Sequence, residues 1–374
     1  MTPTVSDIIG IMESLAPRWL AESWDNVGLQ VGDPQWPVET VWLALDPLPE
    51  TVAAAVSAGA QMLITHHPLL FRPLSSVDVS TPVGTIVYTA MAHRLAIFSA
   101  HTNLDSVTGG INDILAGRLG LDALTVLGDE KQAEAIKLAV FVPQTHETAV
   151  LEALVTAGAG CIGDYSGCTF RSVGKGTFTP GSRSRPYLGQ PGRFTQVDEV
   201  RIETRVTRER LAEVVTALRK AHPYETMAFD LYPMQPHETG QGIGRVGLLD
   251  PPQTLDAFAE AVRCALGLPT VRVVGDGAMT VNRVAVCSGS GGGLMSAVFA
   301  SGAQVYVTGD LRYHDARDAQ ARGVGLIDIG HFASEHLVID PLADRLAAAI
   351  AEAGWSIAIK TYDAESDPFR VLSS

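Results

Sequence analysis

Three histidine-containing segments of the chain have the residue types and spacing of a metal site. The segment LITHHPLLF (63–71) places His66 and His67 side by side after an apolar run. The segments HTNLD (101–105) and GHFASEH (330–336) follow two other apolar runs, and each contains the pattern His-x-x-x-acid. Imidazole and carboxylate ligands without cysteine suit zinc, manganese, iron, cobalt or nickel. Each segment alone has a plainer interpretation, as a turn or as a helical i, i+4 pair, but the three together predict metal binding.

The spacing within these segments favours two ions over one. If GHFASEH opens a helix, His331 and Glu335 lie on one face of it, and the carboxylate can bridge two ions. Adjacent side chains in an extended segment point to opposite sides, so His66 and His67 serve two ions, or one ion and its surroundings. The sequence therefore predicts a dinuclear site.

Strands of a parallel sheet must position these segments. Residues 40–66 have the pattern strand, helix, strand, and a similar alternation of strands and helices returns from about residue 283. Such an alternation predicts parallel strands joined by crossover helices. In open α/β sheets, functional sites gather outside the carboxyl ends of the strands, which is where all three histidine segments lie.

The two ends of the chain also resemble each other. GAQMLITHH (59–67) aligns with GAQVYVTGD (302–310), and each is followed by a helix, a strand and a histidine, His101 or His331. We interpret this similarity as a diverged internal repeat. The alternative is a chance likeness between α/β segments.

A different pattern separates the two halves. Residues 131–238 have the order strand, helix, strand, strand, helix, strand, which predicts a ferredoxin-like α+β sandwich. The predicted fold class is therefore α/β, with two related halves (1–130 and 239–374) that form one domain and an α+β domain inserted between them.

Composition narrows the class of protein. The chain has 374 residues, is 46% hydrophobic and has a formal net charge of −14 without a basic tract, which disfavours nucleic-acid binding. No apolar run reaches the roughly 18 residues of a membrane span, and the amphipathic N-terminus lacks the features of a signal peptide. Its four cysteines are scattered without a CxxC pair, so we expect a cytoplasmic protein without disulfides or a thiolate zinc site.

Two glycine- or tryptophan-containing motifs adjoin the predicted strands. In WDNVGL (24–29), Trp24 and Asn26 could line the site and Asp25 could orient a ligand histidine; the alternative is a turn with a buried tryptophan. SGSGGG (288–293) could present backbone N–H groups to an anion, or could be a turn that packs closely.

Three further motifs allow more than one interpretation. His314 and Asp310 are candidate proton-transfer groups or part of a capped helix start. GIGRVG (242–247) formally matches a dinucleotide motif, but LLDPP follows where a helix should begin, so we predict a structural strand or turn. HPYET (222–226) could end a helix or cap the metal cavity from a neighbouring subunit.

These motifs together resemble those of the NIF3-like (NGG1-interacting factor 3-like) proteins, also named GTP cyclohydrolase 1 type 2 homologues. The segments that carry the resemblance span both halves of the chain: ESWDNVGLQVGD, LITHHPLLF, SAHTNLD, GIGRVG, SGSGGG, TGDLRYHDA and GHFASEH. The middle segment resembles the insert of the longer bacterial members, which is similar to PII and CutA modules.

The resemblance implies a dinuclear metal centre, with two divalent ions per subunit, and a ring-shaped hexamer. Carried over by motif, the metal ligands are His66, His67, Asp105, His331 and Glu335. His101 then becomes a near neighbour of the ions, in their surroundings or in contact with substrate.

The favoured function is a metal-dependent hydrolase that uses a metal-bridged water, with His101 and His314 as candidate catalytic groups. The family name implies attack on the guanine ring of GTP, but the sequence has no P-loop and leaves the small-molecule substrate open. The alternative is a non-enzymatic metal-binding or regulatory ring protein. Metal-dependent turnover of a small molecule separates the two.

Overall fold

The computed structural model describes residues 2–131, 135–162, 165–235 and 240–372. The chain divides into two compact units. The two-segment unit comprises Met1–Lys131 and Gly240–Ser374, and the middle unit comprises Gln132–Thr239. The predicted boundary between residues 238 and 239 lies outside the described residues.

The helices and strands follow one another in three groups along the chain. The first segment contains α1 (Val5–Leu15), β1 (Gly28–Val31), β2 (Thr40–Ala44), α2 (Pro49–Ser57), β3 (Met62–Thr65), α3 (Pro82–Ala92), β4 (Ala96–Ser99), α4 (Thr102–Ser106), α5 (Ile111–Arg118) and β5 (Leu121–Val126). The middle unit contains β6 (Ala135–Pro143), α6 (Glu147–Thr156), β7 (Thr169–Phe178), β8 (Thr195–Thr207), α7 (Leu211–Ala221) and β9 (Phe229–Pro233). The last segment contains β10 (Arg245–Thr254), α8 (Leu255–Ala265), β11 (Arg272–Val274), β12 (Thr280–Ser290), α9 (Met295–Ser301), β13 (Val305–Gly309), α10 (Tyr313–Arg322), β14 (Gly325–Asp328), α11 (His331–Glu335), α12 (Ile339–Glu352) and β15 (Ala358–Thr361).

The first sheet of the two-segment unit has the strand order β1-β4-β3-β2-β15. Strands β4, β3, β2 and β15 are parallel, and β1 pairs antiparallel with β4. Every residue of β3 and β4 is buried, as expected for parallel strands that are covered on both faces. The predicted strand-helix-strand pattern of residues 40–66 is confirmed as β2, α2 and β3.

The second sheet has the order β11-β14-β13-β12-β10-β5. Strands β12, β13 and β14 are parallel, whereas β11, β10 and β5 pair antiparallel with their neighbours. Both sheets thus contain three consecutive parallel strands. In the first sheet these are β2, β3 and β4, and in the second they are β12, β13 and β14. In each sheet the strand just before the three in the chain pairs antiparallel with the last of them: β1 with β4, and β11 with β14. The two segments aligned in the predicted repeat contain β3 and β13, and each of these strands is the middle one of its three parallel strands.

Helix α1 covers the first sheet with the apolar face that its sequence pattern predicts. Val5, Ile8 and Met12 are buried in a core cluster that also contains residues of α12. The helix begins with a capping box, in which the Asp7 carboxylate accepts hydrogen bonds from the backbone N–H and the hydroxyl of Thr4. This packing anchors the layer of helices on the sheet that carries His66 and His67.

The middle unit is a four-stranded antiparallel sheet with two helices. Its strand order is β7-β8-β6-β9, and its elements follow the predicted order of strand, helix, strand, strand, helix, strand. Helices α6 and α7 contribute Leu154, Val214 and Leu218 to a core cluster with residues of β6 and β8. Among the described residues of the chain, no helix is long and apolar enough to cross a bilayer.

Candidate metal centre

The carboxyl ends of strands from both sheets meet at one group of ionisable side chains. His66 and His67 follow β3, and His101 follows β4; α4, which comes next in the chain, carries a carboxylate, and α11 follows β14. The structure brings together all of the metal ligands proposed from the family resemblance and the neighbouring histidine: His66, His67, His101, Asp105, His331 and Glu335. Within this group, the ligand atoms of His66, His67 and His101 lie within 4.8 Å of one another, as do those of His67, His331 and Glu335.

Each of the four imidazoles is held at its Nδ1 atom by an oxygen acceptor. The pairs are His66 with the carbonyl of Ala100 (2.9 Å), His67 with Asp46 (2.7 Å), His101 with Asp25 (2.9 Å) and His331 with Asp310 (2.7 Å). When such a ring is neutral, the acceptor keeps its proton on Nδ1, and the Nε2 lone pair is then free for another partner. Metal-ligating histidines in proteins are commonly oriented in this way.

The Glu335 carboxylate lies at the centre of the group, and its two oxygens face different histidines. Oε1 is 3.6 Å from Nε2 of His66, whereas Oε2 is 3.0 Å from Nε2 of His67 and 3.1 Å from Nε2 of His331. Nε2 of His66 also lies 3.9 Å from Oδ1 of Asp105. A carboxylate in this position can bridge two ions.

The His66 imidazole supplies a test of whether the group suits a metal. Its Nε2 atom is buried and has no hydrogen-bond partner among the described residues. Buried polar atoms nearly always have a partner, so this nitrogen, directed at two carboxylates, fits the position of a metal ligand. The donors are nitrogen and oxygen without sulfur, which matches the predicted choice of metals.

Burial and charge in the group act on the ionisation of its members. Burial would raise the pKa of Glu335, but His66, His331 and His67 lower it well below its usual range. Burial lowers the pKa of His67, yet hydrogen bonds to Asp46 and Glu335 outweigh it and raise the value to about 10.

The pKa values of His331 and Asp105 are raised, like that of His67. A hydrogen bond to Glu335 is the main cause that raises the pKa of His331 to about 9. Burial raises the pKa of Asp105, although the Ser288 hydroxyl donates a hydrogen bond of 3.0 Å to it. In the metal-free protein, the raised pKa values therefore favour the protonated forms of His67 and His331.

The group opens into a cavity of about 710 Å³. His67, His101, Asp105, His331 and Glu335 line it together with apolar side chains, which include Trp24, Pro68, Phe71, Ile243 and Leu294. The Trp24 ring contacts the edge of His101, with 6.2 Å between ring centroids. The cavity can thus receive a small organic molecule beside the ionisable group.

The three candidate site residues of the WDNVGL motif, Trp24, Asp25 and Asn26, have different roles in the structure. Asp25 orients His101, as the sequence predicts, and it also accepts a hydrogen bond from the backbone N–H of Thr102. Trp24 lines the cavity. Asn26 instead donates to the Leu70 carbonyl at 2.7 Å and is not among the lining residues.

The SGSGGG loop packs closely against the ionisable group. Ser288 and Gly289 donate their backbone N–H groups to Asn112 and Ser334, each at 2.8 Å. A Cβ atom at Gly289 would lie 2.3 Å from Oε1 of Glu335, so only glycine leaves room for that carboxylate. Of the two interpretations, the close-packed turn agrees with these contacts.

The structure does not bring His314 to the cavity. It is exposed at the start of α10 and is absent from the residues that line the cavity. Asp310, predicted as a proton-transfer group, holds the ring of His331. GIGRVG leads into β10, with Gly244 at a positive φ of 77°, which confirms the predicted strand or turn. In HPYET, His222 is the residue that follows the end of α7, so this motif ends a helix.

Sequence reasoning missed Asp46, which holds His67. Asp46 lies just beyond β2, at the same edge of the sheet as the histidines of β3. The strand-end criterion that identified the histidines would also have identified this carboxylate.

A mixed α/β fold that gathers four histidines and two carboxylates at its strand ends defines a protein with a site able to hold a metal ion. The chain belongs to the Duf34/NIF3 (NGG1p interacting factor 3) family, whose sequence profile matches residues 3–368. It is 40% identical over 365 residues to a Halalkalibacterium halodurans protein named GTP cyclohydrolase 1 type 2 homolog, covering 98% of each chain. A Bacillus subtilis protein of the same name is 37% identical, again covering 98% of each chain. The crystal structure of a Bacillus cereus protein related to NIF3 superimposes with a TM-score of 0.80 and 39% identity, covering 100% of both chains.

Proposed function

We propose that the cavity of the two-segment unit holds two divalent metal ions and that the protein is a metal-dependent hydrolase. The position of Glu335 carries this proposal. One of its oxygens faces His66 and the other faces His67 and His331, while every one of these rings is held at Nδ1. A buried carboxylate shared between two sets of oriented imidazoles suits a bridging ligand.

The contacts divide the ligands into two sets. His66, His101 and Asp105 would hold one ion, His67 and His331 would hold the other, and Glu335 would be shared between them. We add His101 to the five ligands implied by the resemblance, for two reasons. Its ligand atom lies within 4.8 Å of those of His66 and His67, and its Nδ1 atom is paired with Asp25, as in the other oriented rings.

Two bound ions would supply an activated water and a positive clamp for the reacting group. The chain itself contributes orientation and a binding surface. Asp25, Asp46 and Asp310 hold the rings in place, and Trp24 and Phe71 form an apolar wall against which an organic substrate can lie. The names of the relatives make nucleotides the first substrate class to test.

We also propose that the middle unit is an inserted ferredoxin-like domain and that the protein assembles as a cytoplasmic homo-hexamer. The first proposal is supported by the strand order of the middle unit, in which its first strand β6 lies between its third and fourth, β8 and β9. The hexamer rests on the resemblance to the NIF3-like proteins alone, and the cytoplasmic location rests on the four scattered cysteines of the sequence.

Metal content tests the proposed centre. We expect about two transition-metal ions per chain in the purified protein after reconstitution, and a clear loss in Glu335→Gln, because the amide cannot bridge two cations. Elemental analysis by mass spectrometry measures this, and circular dichroism checks that the variant is folded. The matched control is Glu352→Gln, an exposed residue at the end of α12, which should keep the metal content of the wild type. Full metal content in Glu335→Gln would contradict the ligand assignment.

Turnover tests the proposed activity separately. The metal-loaded protein is incubated with a panel of nucleoside triphosphates, phosphoesters and cyclic amides, and the products are followed by liquid chromatography and mass spectrometry. Hydrolysis that Glu335→Gln abolishes and Glu352→Gln preserves supports the hydrolase. A protein that binds both ions but consumes nothing in the panel favours the non-enzymatic regulatory alternative.

A further inference from the structure

The middle unit contains a cavity of its own, of about 350 Å³, and the proposed metal centre uses none of its residues. Four of the described residues that line it are aromatic and two are acidic, but none is lysine or arginine. The aromatic residues are Phe141, Phe178, Tyr187 and Tyr224, and the acidic ones are Glu199 and Glu225. A pocket with apolar walls and only negative side-chain charge is complementary to a cation with an organic body.

The Glu199 carboxylate is built into the wall of this cavity. Glu199 lies in β8 with 8% of its surface exposed, and Oε1 accepts a hydrogen bond of 2.8 Å from the Tyr224 hydroxyl. A Cβ atom at Gly176, on the neighbouring strand β7, would lie 2.0 Å from Oε2, so the glycine makes the space that the carboxylate occupies. Among the described residues, the Tyr224 hydroxyl is the one side-chain donor to this buried carboxylate, so a cationic partner would stabilise its charge.

The aromatic rings are held around the carboxylate. The Tyr224 ring lies 6.0 Å from Phe178 and 6.4 Å from Tyr187, measured between centroids. His222 fixes the backbone of Tyr224, because its Nε2–H donates to the Phe141 carbonyl at 2.9 Å and its Nδ1 accepts the Tyr224 N–H at 3.1 Å. The HPYET motif thus ends α7 and also positions one wall of the cavity.

We propose that this cavity binds a small organic ammonium compound, with its charged nitrogen at Glu199 and its apolar part against the rings of Phe178, Tyr187 and Tyr224. Aromatic faces attract ammonium groups, and a buried carboxylate adds a full negative charge to that attraction. The proposal concerns the middle unit and stands whether or not the two-segment unit is a hydrolase.

Matched pairs of cation and neutral isostere test the charge requirement on the unmodified full-length protein. The first pair is choline and 3,3-dimethylbutan-1-ol, and the second is phenethylamine and 2-phenylethanol. Isothermal titration calorimetry and ligand-observed NMR measure the affinities. We expect at least one cation to bind with a dissociation constant about tenfold or more below that of its neutral partner. The proposal is overturned if neither cation binds more tightly than its isostere.

Variants then locate the binding. Glu199→Gln should weaken the cation that binds by about tenfold and leave its neutral partner unchanged. The matched control, Glu209→Gln, removes a carboxylate that is exposed and does not line the cavity, and it should bind like the wild type. Tyr224→Phe, which keeps the ring, should retain the preference for the cation. Equal affinity in Glu199→Gln and the wild type would place the cation elsewhere and overturn the proposal.

Discussion

At the scale of single residues, the candidate metal centre depends on the carboxylates and the carbonyl behind its histidines. Asp25 and Asp310 stand in equivalent roles in the two halves, because each holds the histidine that precedes an acid by four residues. The spacing His-x-x-x-acid predicted this pair of histidines, but their partners come from positions 76 and 21 residues away. Contacts of that kind are set by the fold: the sequence suggested that Asp25 could orient a ligand histidine, but it did not reveal which one, or that Asp310 holds His331.

The ionisation of these residues predicts how metal binding depends on pH. His67 has a pKa of about 10 and His331 one of about 9 in the metal-free protein, so both rings are protonated near neutral pH. A metal requires neutral imidazole and must displace these protons. We therefore expect apparent metal affinity to rise as pH increases through the neutral range toward pH 9, with protons released on binding.

Calorimetric titration of the metal in two buffers with different ionisation enthalpies counts the released protons. Asp46→Asn removes one of the two carboxylates that raise the pKa of His67 and should reduce the proton release near neutral pH. A titration without proton release in the wild type would show that the rings are already neutral.

At the scale of elements, the sequence predicts the buried parallel strands but not the strands at the sheet edges. The residues of β3, β4, β13 and β14 are all buried, which requires the continuous apolar runs that a sequence pattern detects. The edge strands β5, β11 and β15 are partly exposed and carry only weak apolar patterns.

Strand β10 is difficult to predict from the sequence for a different reason. Pro251 and Pro252 lie inside it, and its register against β12 shifts between Leu248 and Gln253. Proline has no backbone N–H to give to a neighbouring strand, so a Pro-Pro pair argues against a strand in the sequence. The irregular pairing here accommodates it.

An ion pair between a buried arginine and a partly buried aspartate joins α5 to β10, and sequence reasoning missed it. Arg245 in β10 donates to Asp113 of α5 at 3.0 and 2.7 Å and to the carbonyls of Gly242 and Gly244. Its side chain is 3% exposed. The arginine therefore ties β10 to α5. Helix α5 directly follows α4, the helix that carries Asp105.

Removing the charge of Arg245 should destabilise this junction. We expect Arg245→Met to lower the free energy of unfolding of the two-segment unit by about 3 kcal/mol, because the partly buried Asp113 carboxylate loses its cation and the carbonyls of Gly242 and Gly244 lose their donor. Urea denaturation followed by tryptophan fluorescence measures the change. Arg118→Met, at the exposed end of α5, is the matched control and should lie within about 0.5 kcal/mol of the wild type. Equal stability of the two variants would contradict a structural role for the ion pair.

At the scale of the whole molecule, the two compact units carry separate cores and separate candidate sites. The ionisable group lies in the two-segment unit, and the cavity around Glu199 lies in the middle unit. All five tryptophans fall in the two-segment unit: Trp19, Trp24, Trp36, Trp42 and Trp355. Tryptophan fluorescence therefore reports the unfolding of one unit alone.

This distribution allows metal binding to be assigned to a unit by its effect on stability. A ligand that binds only the folded state at 100 times its dissociation constant stabilises that state by about 2.7 kcal/mol. For a unit of this size, such a gain corresponds to a rise of about 5–10 °C in the melting temperature. We expect added metal to raise the tryptophan-detected midpoint by this amount and chelation to reverse the rise.

The complementary variant is Leu154→Ala in the fully buried core of the middle unit. Loss of this side chain should destabilise the middle unit by about 2–5 kcal/mol, visible by circular dichroism. If the units unfold independently, the tryptophan midpoint and its response to metal stay at wild-type values. A midpoint that falls with Leu154→Ala would instead show that the unfolding of one unit drives that of the other. Metal bound in the two-segment unit would then also stabilise the middle unit and its Glu199 cavity, and the two sites would be thermodynamically linked.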